Sequence, residues 1–79
     1  MRLEGHDQWI TGLVFSSNGK YLFSSSDDKS VRIWDLVNNG VCFKTFNNLH
    51  STFISCLAMN SKLMVTGDVD KLIKIWEIR

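Results

Sequence analysis

Residues 28–35 read Asp-Lys-Ser-Val-Arg-Ile-Trp-Asp, and residues 70–77 read Asp-Lys-Leu-Ile-Lys-Ile-Trp-Glu. In both stretches apolar residues alternate with polar or charged ones, and a tryptophan followed by an acid ends the pattern. Alternation with a period of two is typical of a half-buried β-strand. Because the same strand occurs twice, 42 residues apart, the sequence predicts a repeated β unit.

A second match places the start of each repeat. Residues 6–15 align with residues 50–59 at an offset of 44, with the histidine, aromatic and aliphatic positions in register. The two offsets differ because the first copy has a longer turn between Phe15 and Ser24, and surface turns tolerate such insertions. We assign repeat one to about residues 3–36 and repeat two to about residues 41–79, within one partial domain that spans residues 1–79.

Each repeat divides into short apolar runs, rich in β-branched and aromatic residues and separated by Asn, Gly, Asp and Ser. Such runs predict strands joined by tight turns, and Asn18-Gly19 can supply the positive φ that a tight hairpin requires. No segment has a helical period, so the expected fold class is all-β, with antiparallel hairpins. The predicted strands lie near 9–16, 20–25, 30–36, 41–46, 52–59, 62–67 and 71–78.

The composition disfavours several kinds of protein. The 79 residues are 44% apolar and 22% charged, which is typical of a small globular domain. No apolar run approaches the roughly 20 residues of a transmembrane helix, and a net charge of +1 disfavours electrostatic binding to nucleic acid. Cys42 and Cys56 lack metal-ligand spacing, so we expect both to be small buried residues, and we expect no metal and no cofactor.

Two dipeptides mark the ends of each repeat. The first copy has Gly5-His6 and Trp34-Asp35, and the second has Leu49-His50 and Trp76-Glu77. With a period of 42 to 44 residues, the chain resembles the WD40 repeat family, whose β-propellers are built from four-stranded blades. The resemblance implies two blades of an incomplete propeller, the second without its outer strand. Their two outer faces would be apolar and unpaired, so we expect the chain to need further blades or to self-associate.

The WD40 resemblance also implies a chain of hydrogen bonds in each blade, from a tryptophan through a hydroxyl and a histidine to an aspartate. Carried over by position, its members are Trp34, Ser24, His6 and Asp28 in the first repeat and Trp76, Thr66, His50 and Asp70 in the second.

The first of these sets contains the residue types of a hydrolytic triad, so a small serine hydrolase is an alternative. No Gly-x-Ser-x-Gly sequence is present, and Thr66 replaces Ser24 in the second copy. A set that recurs once per blade fits a scaffold better than a single active site. We therefore expect no catalytic residues.

Longer stretches carry a closer resemblance. Residues 5–9, 27–35 and 65–79, together with 19–22 and 44–46, are similar to the last two repeats of the lissencephaly/NudF nuclear-distribution family. Members of that family regulate dynein and are non-catalytic subunits of a platelet-activating-factor acetylhydrolase. The resemblance implies a non-enzymatic interaction scaffold that is cytoplasmic, is associated with microtubules and the cytoskeleton, and binds the dynein motor or acetylhydrolase catalytic subunits, with neither membrane nor nucleic acid as a partner.

The same resemblance points to a binding site. Trp9 matches a family tryptophan on the top surface of the propeller, and the residues expected to border it are Asp7, Gln8, Ser51, Thr52 and Phe53. An exposed tryptophan can anchor a protein partner, although packing on its own blade is the simpler role for such a residue. A WD40 module of another assembly, such as a ubiquitin-ligase adaptor or a signalling scaffold, is the alternative function.

Overall fold

Seven β-strands form two antiparallel sheets in the computed structural model, which describes residues 1–77. The first sheet has the order β1-β2-β3-β4 and the second the order β5-β6-β7. This architecture confirms the all-β prediction of two blades, the second without an outer strand. The strands are β1 (Ile10–Phe15), β2 (Tyr21–Ser26), β3 (Val31–Asp35), β4 (Val41–Phe46), β5 (Ile54–Met59), β6 (Leu63–Asp68) and β7 (Ile73–Glu77).

The predicted seventh strand ran to residue 78 and the predicted second repeat to residue 79. These last two positions lie outside the described residues. Within residues 1–77, no helix is long and apolar enough to cross a membrane.

Positive φ values occur in the turns between strands. Gly19 has a φ of 72° between β1 and β2, as the Asn-Gly pair predicts. The turns that follow β2 and β6 place a lysine in the same left-handed conformation, with φ values of 69° at Lys29 and 73° at Lys71. Because these lysines are 42 residues apart, the two repeats share this turn geometry as well as their strands.

The hydrophobic core lies between the two sheets, where β5 packs against β1 and β2. The register of the first sheet puts Phe23 and Ile33 on the face that meets the second sheet. In the second sheet Met64 and Trp76 face them, and an apolar cavity of about 210 Å³ remains between these side chains. The buried apolar side chains of this core are Phe23, Val31, Ile33, Ile54 and Met64.

Three consecutive serines at the end of β2 are fully buried, and each has hydrogen-bond partners. Ser25 Oγ lies 3.0 Å from the Thr11 hydroxyl, and Ser26 Oγ donates to the Gln8 carbonyl at 3.3 Å. Ser24 belongs to the network described below. Buried hydroxyls are stable only when paired, so this polar run marks where other segments attach to the blade.

The cysteines differ from the prediction. Cys42 is half-buried and Cys56 is exposed, so the expectation that both cysteines are buried was wrong. Cys56 pairs with Gly67 on the face of the second sheet that points away from the first sheet. No other sheet of the described chain covers that face.

Candidate functional site

A chain of hydrogen bonds crosses the first blade and joins four residues from separate segments. Trp34 on β3 donates through Nε1 to Ser24 Oγ on β2 at 2.9 Å, and Ser24 Oγ lies 2.6 Å from His6 Nε2. His6 Nδ1 lies 3.0 Å from the Oδ2 atom of Asp28, in the turn after β2. The predicted set of Trp34, Ser24, His6 and Asp28 is therefore brought together by the fold.

One direction of donation satisfies every member of this chain. With its proton on Nδ1, His6 donates to the Asp28 carboxylate and accepts the Ser24 hydroxyl proton at Nε2. Burial by itself raises the pKa of Asp28, but hydrogen bonds from the Ser30 hydroxyl, the His6 ring and two backbone amides lower that pKa from 3.8 to about 2. The network thus ends on a carboxylate that is ionised at neutral pH.

The second blade has the same network, but its aspartate comes from a different position in the repeat. Trp76 Nε1 donates to Thr66 Oγ1 at 3.1 Å, and Thr66 Oγ1 lies 2.6 Å from His50 Nε2. His50 Nδ1 lies 2.7 Å from Oδ2 of Asp68. The prediction of Asp70 as the terminal member was therefore wrong, because Asp68 fills that role.

The position of Asp68 explains the difference. It is the last residue of β6, where the first repeat has Ser26, and its longer side chain reaches the histidine from the strand itself. Its other carboxylate oxygen accepts the backbone amides of Asp70 at 2.8 Å and Leu72 at 3.1 Å, while Asp70 is exposed. Burial raises the pKa of Asp68, but the bonds from the Leu72 amide, the His50 ring and the Asp70 amide lower it overall.

The atoms of each network have the order of a Ser-His-Asp triad, but their burial opposes catalysis. Ser24 is 1% exposed, and Thr66 is fully buried. A nucleophile must reach a reacting atom of the substrate, and neither hydroxyl is open to one. Each network instead holds the segment that carries its histidine against the blade.

The segment that follows His6 is attached to the turn after β2 by three successive backbone contacts. The Asp7 amide donates to Asp28 Oδ2 at 3.1 Å, and the Gln8 carbonyl accepts the hydroxyl of Ser26. The Trp9 carbonyl accepts the amide of Asp27 at 2.9 Å. The side chain of Trp9 is nevertheless 82% exposed, so its backbone is fixed while its ring faces solvent.

The second blade has a similar segment, residues 51–53, which is held by fewer hydrogen bonds. The Phe53 carbonyl accepts the amide of Val69 at 3.3 Å, which is the equivalent of the bond at Trp9. Phe53 is 49% exposed, Ser51 is exposed and Thr52 is half-buried. We call residues 7–9 and 51–53 the rim segments. They directly precede β1 and β5, two strands that pack against each other between the sheets.

Two further residues support the networks without having been predicted. Ser30 is buried, and its hydroxyl donates to Asp28 Oδ1 and lies 3.3 Å from His6 Nδ1. Ser26 joins the rim segment to the turn, as its hydroxyl also accepts the Asp28 amide at 3.1 Å. The sequence signal for both was a serine next to the aspartate-containing turn, at the end or start of a strand.

Among residues 1–77, no group of three or more potential ligands is arranged to hold a metal ion.

The two sheets, the hydrogen-bond network in each of them and the repeat period of 42 to 44 residues define a class of protein, the WD40 β-propeller. In agreement, the family described as WD domain, G-beta repeat matches residues 1–35 and 40–77. The chain belongs to the WD40 repeat family.

Particular members of that family are similar over most of the chain. The nuclear distribution protein nudF of Aspergillus terreus is 60% identical over 55 residues, and the nuclear distribution protein PAC1 of Ajellomyces capsulatus is 50% identical over 58 residues. These matches cover 70% and 73% of this chain but 12% and 13% of the relatives, so the chain spans about an eighth of their length.

Solved structures support the same fold. The crystal structure of the RRP9 WD40 repeats superposes with a TM-score of 0.86 at 34% identity, over 95% of this chain and 24% of that one. The computationally designed Ika4 protein superposes with a TM-score of 0.82 at 28% identity, over 98% of this chain and 46% of that one. Both are longer chains than this one.

Proposed function

We propose that this chain is a non-enzymatic protein-interaction scaffold that binds a partner through the rim segments, with Trp9 as the main contact. The observation that carries the proposal is the combination of an 82% exposed indole with a fixed backbone. Asp7, Gln8, Ser51, Thr52 and Phe53 form the border of this surface.

A fixed backbone under an exposed tryptophan favours binding for a physical reason. Association costs free energy when loops and side chains must be ordered, and a preorganised segment has less freedom to lose. The anchors at Asp28, Ser26 and Asp27 remove that freedom from residues 7–9 before any partner arrives. The indole then offers a large apolar surface and one N–H donor, which is why tryptophan is common among interface hot spots.

The partner that we propose is the dynein motor, in the cytoplasm. This choice of partner is supported by the similarity to nuclear distribution proteins. It is also supported by the resemblance of residues 5–9 to the lissencephaly/NudF family, in which Trp9 matches a tryptophan of the top surface. Phe53 extends the surface onto the second blade, where the equivalent carbonyl bond to Val69 fixes its backbone.

The test is capture of dynein from cytosolic extract on the immobilised chain, with the dynein heavy chain as the readout. Trp9→Ala removes the proposed anchor, and Phe43→Ala removes an exposed aromatic of β4, at the opposite edge of the first sheet. We expect wild type and Phe43→Ala to retain dynein and Trp9→Ala to lose it. Capture that does not depend on Trp9 would show that the site is wrong, and no capture by wild type would show that the partner is wrong.

A further inference from the structure

Four large apolar side chains are exposed on two opposite faces of the molecule. Leu13 and Phe15 of β1 are 62% and 63% exposed, on the face of the first sheet that points away from the second. Ile73 and Ile75 of β7 are 68% and 64% exposed, on the face of the second sheet that points away from the first. We call these the head face (Leu13, Phe15) and the tail face (Ile73, Ile75). Soluble monomers rarely expose such clusters without a partner.

The internal repeat shows what fits the tail face. Ile73 and Ile75 correspond to Val31 and Ile33 of the first blade, 42 residues earlier. Those two side chains are 0% and 9% exposed, because the second blade packs against them. The tail face is therefore a second copy of a surface that the chain already covers once.

The same comparison shows what fits the head face. Leu13 and Phe15 correspond to Leu57 and Met59 of the second blade, 44 residues later. Leu57 and Met59 are half-buried against the core that contains Val31. Within the chain, the equivalents of the head face therefore already pack on the core that contains Val31 and Ile33, which are the equivalents of the tail face.

We propose that the head face of one copy packs on the tail face of a second copy, in the same way as the second blade packs on the first within the chain. Both halves of this interface lie on each molecule, so a second copy is the occupant that the chain itself specifies. The two patches are different, so the contact is heterologous and gives a head-to-tail assembly, which closes into a ring if the rotation closes. Each added copy contributes two blades, so a closed ring has an even number of them.

The test uses two variants that each spoil one face, with light scattering after size exclusion as the measurement. Leu13→Glu places a charge on the head face and Ile75→Glu places one on the tail face. We expect wild type to form one discrete assembly and each variant alone to be a monomer. An equimolar mixture should form a one-to-one pair, since Ile75→Glu keeps its head face and Leu13→Glu keeps its tail face. Val37→Glu, at a 74% exposed residue of the turn after β3, should assemble like wild type.

Several outcomes would overturn the proposal. A folded wild-type monomer at the highest soluble concentration would exclude self-assembly. A dimer of either variant alone would indicate a contact between like faces, and the absence of a pair in the mixture would exclude head-to-tail packing. If circular dichroism shows that either first variant has lost its sheets, Phe15→Glu and Ile73→Glu repeat the mixture on the same two faces. Trp9→Ala should leave the assembly intact, which separates this result from the proposed binding site.

Discussion

Ser24→Ala removes the hydroxyl at the centre of the first network and leaves two polar groups without their partner. The Trp34 indole N–H loses the Ser24 Oγ acceptor at 2.9 Å, and His6 Nε2 loses its contact with the same atom at 2.6 Å. Trp34 is 3% exposed, so water has little access to replace the lost bond. The substitution creates almost no change in volume, and the effect therefore reports on hydrogen bonding.

The size of the effect follows from those two groups. A buried polar group without a partner costs roughly 1 to 3 kcal/mol, so two of them should lower the free energy of unfolding by about 3 kcal/mol. For a domain of this size about 1 kcal/mol shifts the melting temperature by roughly 4 to 8 °C, so Ser24→Ala should melt more than about 10 °C below wild type.

The assay is thermal unfolding followed by circular dichroism, at one protein concentration because assembly would make the melting temperature depend on it. Ser17→Ala is the matched control, as Ser17 is exposed in the turn after β1. We expect this control to change the unfolding free energy by less than about 0.5 kcal/mol. If Ser24→Ala instead melts at the same temperature as wild type, the network does not stabilise the blade.

Further predictions concern the carboxylates, one turn and the reactivity of the serine. Asp68→Ala should lower the melting temperature, whereas Asp70→Ala should not, because only Asp68 contacts the histidine; equal effects in thermal melts would contradict the observed pairing. Stability should fall as the pH drops from about 4 towards 2, because the folded chain keeps the pKa of Asp28 at about 2 against 3.8 for the free side chain; acid titration of Asp28→Asn should give a shallower curve. Gly40→Ala should cost about 1 to 2 kcal/mol in denaturant unfolding, because Gly40 has a φ of 75° and an added Cβ would meet the N-terminal side chains. A serine-directed covalent probe should leave Ser24 unlabelled in mass spectrometry, since that residue is 1% exposed.

Much of the fold could be predicted because each strand has a local pattern. The alternation that ends at Trp34 and Trp76 gave the two β units, and the Asn-Gly pair predicted the positive φ at Gly19. Lys29 and Lys71 were different, because a left-handed lysine has no sequence signal of its own. Their conformation depends on the turn that the paired strands impose.

The error at the site arose because the contact with the histidine depends on the length and placement of the aspartate side chain, and not on the offset between the repeats. Asp70 corresponds to Asp28 by its offset of 42 residues, but the carboxylate that contacts His50 is that of Asp68, at the end of β6. The exposure of Cys56 likewise depends on which face of the sheet a second sheet covers, and a period-two pattern does not contain that information.

Trp9 is proposed here as a preorganised anchor for a protein partner. The most direct measurement is the dissociation constant between this chain and a purified dynein motor domain, for wild type and for Trp9→Ala. A hot-spot tryptophan is worth at least about 2 kcal/mol, so we expect Trp9→Ala to weaken binding by about 30-fold or more, with the circular dichroism spectrum unchanged. Equal dissociation constants for the two proteins would contradict this role for Trp9.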